Sequence, residues 1–148
     1  MVIRLSVRKW IDLAAFETGI NVPLYRIMAD VRILTLDGWS PTEDGIIDTG
    51  NPVPMIPRSI WSVASVEFLT RDSRSIQGLG STEATALRGR PGRVFLRLED
   101  REAASPPIET IAYLLDDDRA PLLLGCEGIL TRAILRTNLA ALEASLEF

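Results

Sequence analysis

Asp44-Gly45-Ile46-Ile47-Asp48-Thr49-Gly50 is the stretch on which the reading of this chain turns. Two adjacent β-branched apolar residues predict a short buried strand, and Asp48-Thr49-Gly50 ends it in a tight turn. The glycine lets the backbone bend closely and leaves its N–H free to face the carboxylate two residues earlier. The threonine hydroxyl is placed to lock the bend. A three-residue word recurs by chance, so the surrounding strands decide what it means.

Outward from this stretch, alternation of apolar and polar residues dominates. Val2 to Val7 predicts a strand, Trp10 to Thr18 a short helix or a loop, and Pro23 to Leu36 one strand or two, closed by a turn at Asp37-Gly38. Pro52, Pro54 and Pro57 disfavour helix until Arg58 to Val63, which has room for one or two turns. The glycine-rich run Ile76-Gln77-Gly78-Leu79-Gly80-Ser81 suits the tip of a hairpin. Arg93 to Leu98 and Ile108 to Leu115 alternate as strands on either side of a polar loop containing Pro106-Pro107, and Asp116 to Arg119 is a solvated turn. The unbroken apolar run Pro121 to Gly125 predicts a fully buried strand. Beyond it, Glu127 to Arg132 suits a short helix, Ala133 to Thr137 a strand, and the alanine- and leucine-rich Leu139 to Leu146 a terminal helix. Many short strands separated by turns predict a mostly β, single-domain barrel or sandwich over residues 1–148.

Composition narrows the chemistry. The chain of 148 residues is 47% hydrophobic and 24% charged, enough apolar material for a core without disulfides or a structural metal. A net charge of −4 argues against nucleic acid as a partner. The single cysteine, Cys126, excludes an internal disulfide and a cysteine-cluster metal site, and reads as a small core residue. Zero histidines exclude serine or cysteine triads that use histidine as base, and histidine-ligated zinc. Carboxylates are left as the obvious acid–base groups. Asp116-Asp117-Asp118 lacks the spaced ligands of a calcium loop, and Gly78-Leu79-Gly80 lacks the third glycine of a nucleotide-binding turn. No apolar run approaches the ~20 residues that span a bilayer, and no long apolar segment opens the chain, which predicts no membrane partner and a cytoplasmic location.

Three features then occur once each and in order: Ile46-Ile47-Asp48-Thr49-Gly50, the glycine-rich tip at 76–81, and Leu123-Leu124-Gly125 with the Gly128-Ile129-Leu130-Thr131 turn after it. In this the chain resembles the retropepsin-like aspartic peptidases and their small non-viral relatives. Thirty residues separate Asp48 from Gly78, and 47 separate Gly78 from Gly125, with Arg101 to Pro107 reading as an insertion. The resemblance covers about residues 22–138, leaving 1–21 as an N-terminal extension and 139–148 as a tail. It breaks at Asn51, where the family often has alanine, and at Pro52, where viral enzymes often carry an acid. It breaks again at Ser81, a frequent flap glycine, and at Cys126-Glu127, where an arginine and a polar partner are frequent.

The resemblance implies a closed β-barrel with a short helix after the Leu-Leu-Gly strand, completed as a homodimer in which each chain supplies Asp48. Two carboxyls at close range cannot ionise independently. One accepts a proton from a shared water, and the other stays protonated to polarise the peptide carbonyl. Asp48, Thr49 and Gly50 are then the catalytic residues, with each Thr49 bracing the partner's turn. Gly78, Leu79, Gly80, Leu123 and Ile129 bind an extended peptide or protein substrate beneath the flaps. No metal or organic cofactor is implied. The terminal segments are expected at or near the dimer interface. Two other readings stand beside this one: the same fold as an inactive peptide-binding or protein-interaction dimer, and an unrelated monomeric β domain.

Overall fold

The computed structural model describes residues 1–76 and 85–148. Its first half contains strands β1 (Val2–Ile11), β2 (Pro23–Thr35), β3 (Gly38–Trp39), β4 (Glu43–Ile47), β5 (Met55–Ile56), β6 (Glu67–Phe68) and β7 (Arg74–Ile76). The second half adds β8 (Leu87–Glu99), β9 (Ile108–Leu115), β10 (Leu123–Leu124), β11 (Ile134–Asn138) and β12 (Glu143–Glu147). Two short helices, α1 (Leu13–Glu17) and α2 (Arg58–Trp61), lie between strands. The chain is mostly β, as its alternation predicts, and among the described residues the strands join one sheet in the order β11-β12-β1-β2-β4-β10-β5-β9-β8-β6. β8 also pairs back onto β2, from Asp30↔Glu99 to Ile33↔Leu96, so β2, β4, β10, β5, β9 and β8 form a ring of hydrogen-bonded neighbours.

Period-two patterning builds the core. On β8, Gly92, Val94, Leu96 and Leu98 are buried while Arg93, Phe95, Arg97 and Glu99 face the other way. β9 buries Ile108, Thr110, Ala112 and Leu114 opposite them. Val31, Ile33, Ile47, Ile56 and Leu124 complete one cluster, to which β1 and β12 add Ile3, Leu5 and Leu146. Each such aliphatic side chain contributes roughly 1.5–3 kcal/mol by leaving water.

Polar fasteners hold the outside. Arg32 Nε donates to Glu99 at 2.6 Å, and Thr42 adds a hydroxyl at 3.0 Å. The Arg32 hydrogen bond keeps the Glu99 carboxyl below its ordinary range, against an opposing cost of partial desolvation. Asp100 accepts the backbone N–H groups of Arg4, Glu102 and Ala103, each at 2.7 Å, and ties β1 to the loop after β8. Those three donors lower its pKa.

Two expected helices are replaced. Leu139 to Leu146 is not a terminal helix: Leu139–Leu142 turn, with Leu142 at φ 56°, and Glu143–Glu147 enter the sheet between β1 and β11. Pairing on both sides and complete burial of Leu146 outweigh a helix preference of a few tenths of a kcal/mol per residue. In place of a regular helix after Gly125, Cys126–Leu130 form one wide, irregular turn broken by extended Glu127 and left-handed Gly128 (φ 76°). Trp10–Thr18 resolves into the end of β1 and α1, which Asp12 caps by accepting from the N–H groups of Ala14 and Ala15. No helix among the described residues is long and apolar enough to cross a membrane.

Candidate functional site

The three catalytic candidates sit where β4 runs out of sheet. β4 and β5 are the two ends of one loop, residues 48–54, and β10 lies between them, parallel to β4 and antiparallel to β5. Leu123 pairs with Ile46, and Leu124 with Ile47. On the β4 side of β10, backbone bonds continue the ladder, from Ile46 N–H to Leu122 O at 2.9 Å and from Asp48 N–H to Leu124 O at 3.0 Å. Asp48 is therefore fixed at its backbone by the strand carrying the third sequence motif, Leu123-Leu124-Gly125.

The loop then closes around the end of that strand. Cys126 N–H donates to Asn51 O and Glu127 N–H to Pro52 O, both at 2.9 Å. Gly125 passes so near the loop that a Cβ there would stand 2.5 Å from Val53 C and O and 2.7 Å from Asn51 O. Only glycine fits against backbone at that distance. Gly45 has a similar role one strand away, since a Cβ there would fall 2.7 Å from Leu124 Cδ1. Motifs 77 residues apart in sequence, at Asp48 and Gly125, thus form one interlocked unit.

Within the turn, Gly50 N–H donates to Asp48 Oδ1 at 3.0 Å, the contact expected of the glycine. Asp48 is half-buried, and Thr49 and Gly50 are exposed. Among the described residues Asp48 has no ion pair, and Oδ2 has no hydrogen-bond partner. The Thr49 hydroxyl likewise has none among them and does not lock its own turn, while Thr49 O accepts a long contact from Cys126 Sγ at 3.6 Å. Gly50 differs from Gly125: a Cβ there would meet only Asp48 Oδ1, at 3.4 Å, an ordinary contact. Among the described residues, nothing demands glycine there on steric grounds.

Leu123 is half-buried beside Ile46, on the face of the sheet away from the core, in register with Met28 through Ile46. Ile129 is a correction. It has no exposed surface and belongs to the core cluster, so it supports the site from behind and does not line a substrate pocket. Gly78, Leu79 and Gly80 lie outside the described residues.

The sequence reading missed Thr110. Its hydroxyl lies 2.9 Å from Glu127 O, and its side chain lies where a Cβ on Gly128 would collide, at 2.7 Å. Thr131 Oγ1 accepts the Gly128 N–H at 3.0 Å. The segment after Gly125 is thereby held from two sides. A signal existed: Thr110 is the one polar residue at an inward position of Ile108-x-Thr110-x-Ala112-x-Leu114. A threonine in that register needs a partner for its hydroxyl.

Compared with known protein families and curated proteins, the sequence matches no family model and no curated protein.

Proposed function

We propose that this chain is one subunit of a homodimeric aspartic endopeptidase of the retropepsin-like type. The observation that carries the reading is the clasp of the Asp48–Pro54 loop around Leu123-Leu124-Gly125. It gives a firmly paired backbone to a short acidic turn and, among the described residues, leaves Asp48 Oδ2 without a partner. A catalytic carboxylate needs that combination, because general-base chemistry demands placement within hydrogen-bond reach of a water. The ring of strands made by the β2–β8 pairing supports a closed barrel behind the turn.

One such turn is half a device. Two copies of Asp48 related by a twofold axis share a water; one accepts its proton as it attacks the peptide carbonyl, and the other donates to the carbonyl oxygen. This split of roles between paired aspartates is the established chemistry of the aspartic-protease dyad, where like charges a few ångströms apart cannot both ionise. The unpartnered Thr49 hydroxyl and the sterically unexplained Gly50 fit a turn whose missing neighbour is the same turn of a second chain. Leu123 and Ile46 supply the apolar floor on which side chains of an extended substrate rest.

The test is Asp48→Asn, which keeps the size of the side chain and the Gly50 contact. Cleavage of a denatured protein substrate is expected to fall by at least ~10³-fold, with circular dichroism and sedimentation unchanged. Full cleavage by a variant purified free of host proteases refutes the reading. Wild type that binds extended peptides or a statine-type inhibitor without any cleavage favours the peptide-binding dimer instead.

A further inference from the structure

The first strand and its hairpin partner leave the body of the sheet. β1 pairs with β12 only over Val2–Ser6, and β2 pairs with β4 only from Met28 onward. Between these limits, from Val7↔Ile27 to Ile11↔Pro23, the two strands pair with each other and with no other described strand; Arg8, bonded to Asp44 at 2.8 Å, and Ile27, packed against the core, reach back at the base. This two-stranded ribbon, about 17 Å long at ~3.3 Å per residue, carries α1 and the following loop at its tip. Six large hydrophobic side chains are exposed on it: Trp10, Ile11, Leu13, Phe16, Ile20 and Tyr25, with Leu13 at 74%, Phe16 at 60% and Ile20 at 58%. Isolated two-stranded ribbons are marginal in water, and so concentrated an apolar surface marks an interface.

Register says which way the ribbon points. β2 is antiparallel to β4, with Met28 opposite Ile46. Continuing that register sets Arg26 level with Asp48, so the ribbon runs some three residues, or ~10 Å, past the catalytic turn at the same end of the sheet. A second copy that brings its Asp48 to the first approaches at this end of the sheet. At the opposite margin β12 has β1 on one side and β11 on the other, Met1 and Phe148 bond each other at 2.9 and 2.8 Å, and β11 is the edge strand, with β12 alone beside it among the described residues.

We infer that the residue 7–27 ribbon is the clasp of the homodimer, its apolar tip seated on the second copy of this chain. The area fits. The exposed parts of the six side chains amount to on the order of 600 Å² per chain, against about 800 Å² per partner in an interface of ordinary size. The polar four-residue turn at 48–51 supplies far less. The inference rests on the homodimer proposed above and names its contact surface.

The experiment is sedimentation equilibrium of the full chain over a wide concentration range, comparing wild type with Leu13→Ser/Phe16→Ser. The dimer dissociation constant is expected to rise at least tenfold, with the circular dichroism spectrum and the stability of the dissociated subunit unchanged because both side chains are exposed. Ile20→Ser, beyond α1, repeats the test without altering the helix. A wild-type dimer whose affinity is indifferent to all these changes overturns the inference and leaves the peptidase reading intact. Wild type that stays monomeric at every concentration also overturns it. Flotation of that monomer with phosphatidylcholine vesicles containing phosphatidylglycerol, lost in the double variant, would then assign the tip to a lipid surface. Conversely, cleavage that ignores Asp48→Asn, in a dimer the ribbon variants still break, removes the peptidase reading and keeps the clasp.

Discussion

From Met28 to Val31, β2 has β4 beside it, and Ala29 and Val31 lie in the core; from Pro23 to Ile27 the same strand has one neighbour, and Tyr25 faces solvent. The difference is one of partners more than of residue type. Around Asp48, backbone groups pair on both sides of β10, and glycines at 45 and 125 admit neighbours closer than any side chain allows. On the ribbon, Trp10 and Tyr25 have the cations of Arg26 and Lys9 over their rings, and Leu13, Phe16 and Ile20 are largely exposed. A placed carboxylate needs the first environment, and association needs the second.

Substitution sharpens the contrast, most of all at the two glycines of the clasp. Gly125→Ala drives a methyl into Val53 and Asn51 backbone and is expected to cost about 3 kcal/mol in urea denaturation. Gly50→Ala meets only a carboxylate oxygen at an ordinary distance and is expected to change subunit stability by less than ~1 kcal/mol while lowering dimer affinity and cleavage. Equal losses of stability at the two positions would break the distinction between a turn braced from within and one completed from outside.

A smaller effect is expected at Thr110. Thr110→Val keeps the shape and removes the hydroxyl beside Glu127 O, costing about 1 kcal/mol by chemical denaturation. A loss of cleavage in that variant larger than its loss of stability would support a role for the segment after Gly125 in positioning the Asp48 turn. No change in either quantity would remove Thr110 from the site.

Least in size is a pH effect far from the turn. Asp100 has its pKa depressed by the N–H groups of Arg4, Glu102 and Ala103, so the folded state binds its proton less readily than the unfolded chain does. The resulting stabilisation is present above the ordinary aspartate range and is lost as pH falls through the depressed folded value. In acid titrations of urea stability, Asp100→Asn should flatten the low-pH limb relative to wild type and leave its slope near neutrality unchanged. An identical acid limb would mean that these donors do not hold the ionised form.

Much of this was legible locally. Val94-x-Leu96-x-Leu98 and Ile108-x-Thr110-x-Ala112 announce strands because their period matches the pleat. Asp48-Thr49-Gly50 announces its turn because the bend and the Gly50 contact need only neighbours in sequence. Ile129 is not legible in this way, because an apolar residue after a motif looks the same whether it faces a substrate or the core. The Leu139–Leu146 segment misleads because helix preference is a small local quantity, while two flanking strands and a buried Leu146 are distant and larger.

By itself, the sequence determined the β class, the acidic turn and the absence of any histidine for acid–base work. Tertiary structure alone decided that β10 threads between β4 and β5, that Gly125 lies against Val53, and that β1 from Val7 and β2 up to Ile27 pair with each other and with no other described strand. The physical reason is range. Periodicity and turns are set by residues a few positions apart, whereas strand order, close backbone approach and an unpartnered ribbon depend on which distant segments arrive, and on which do not.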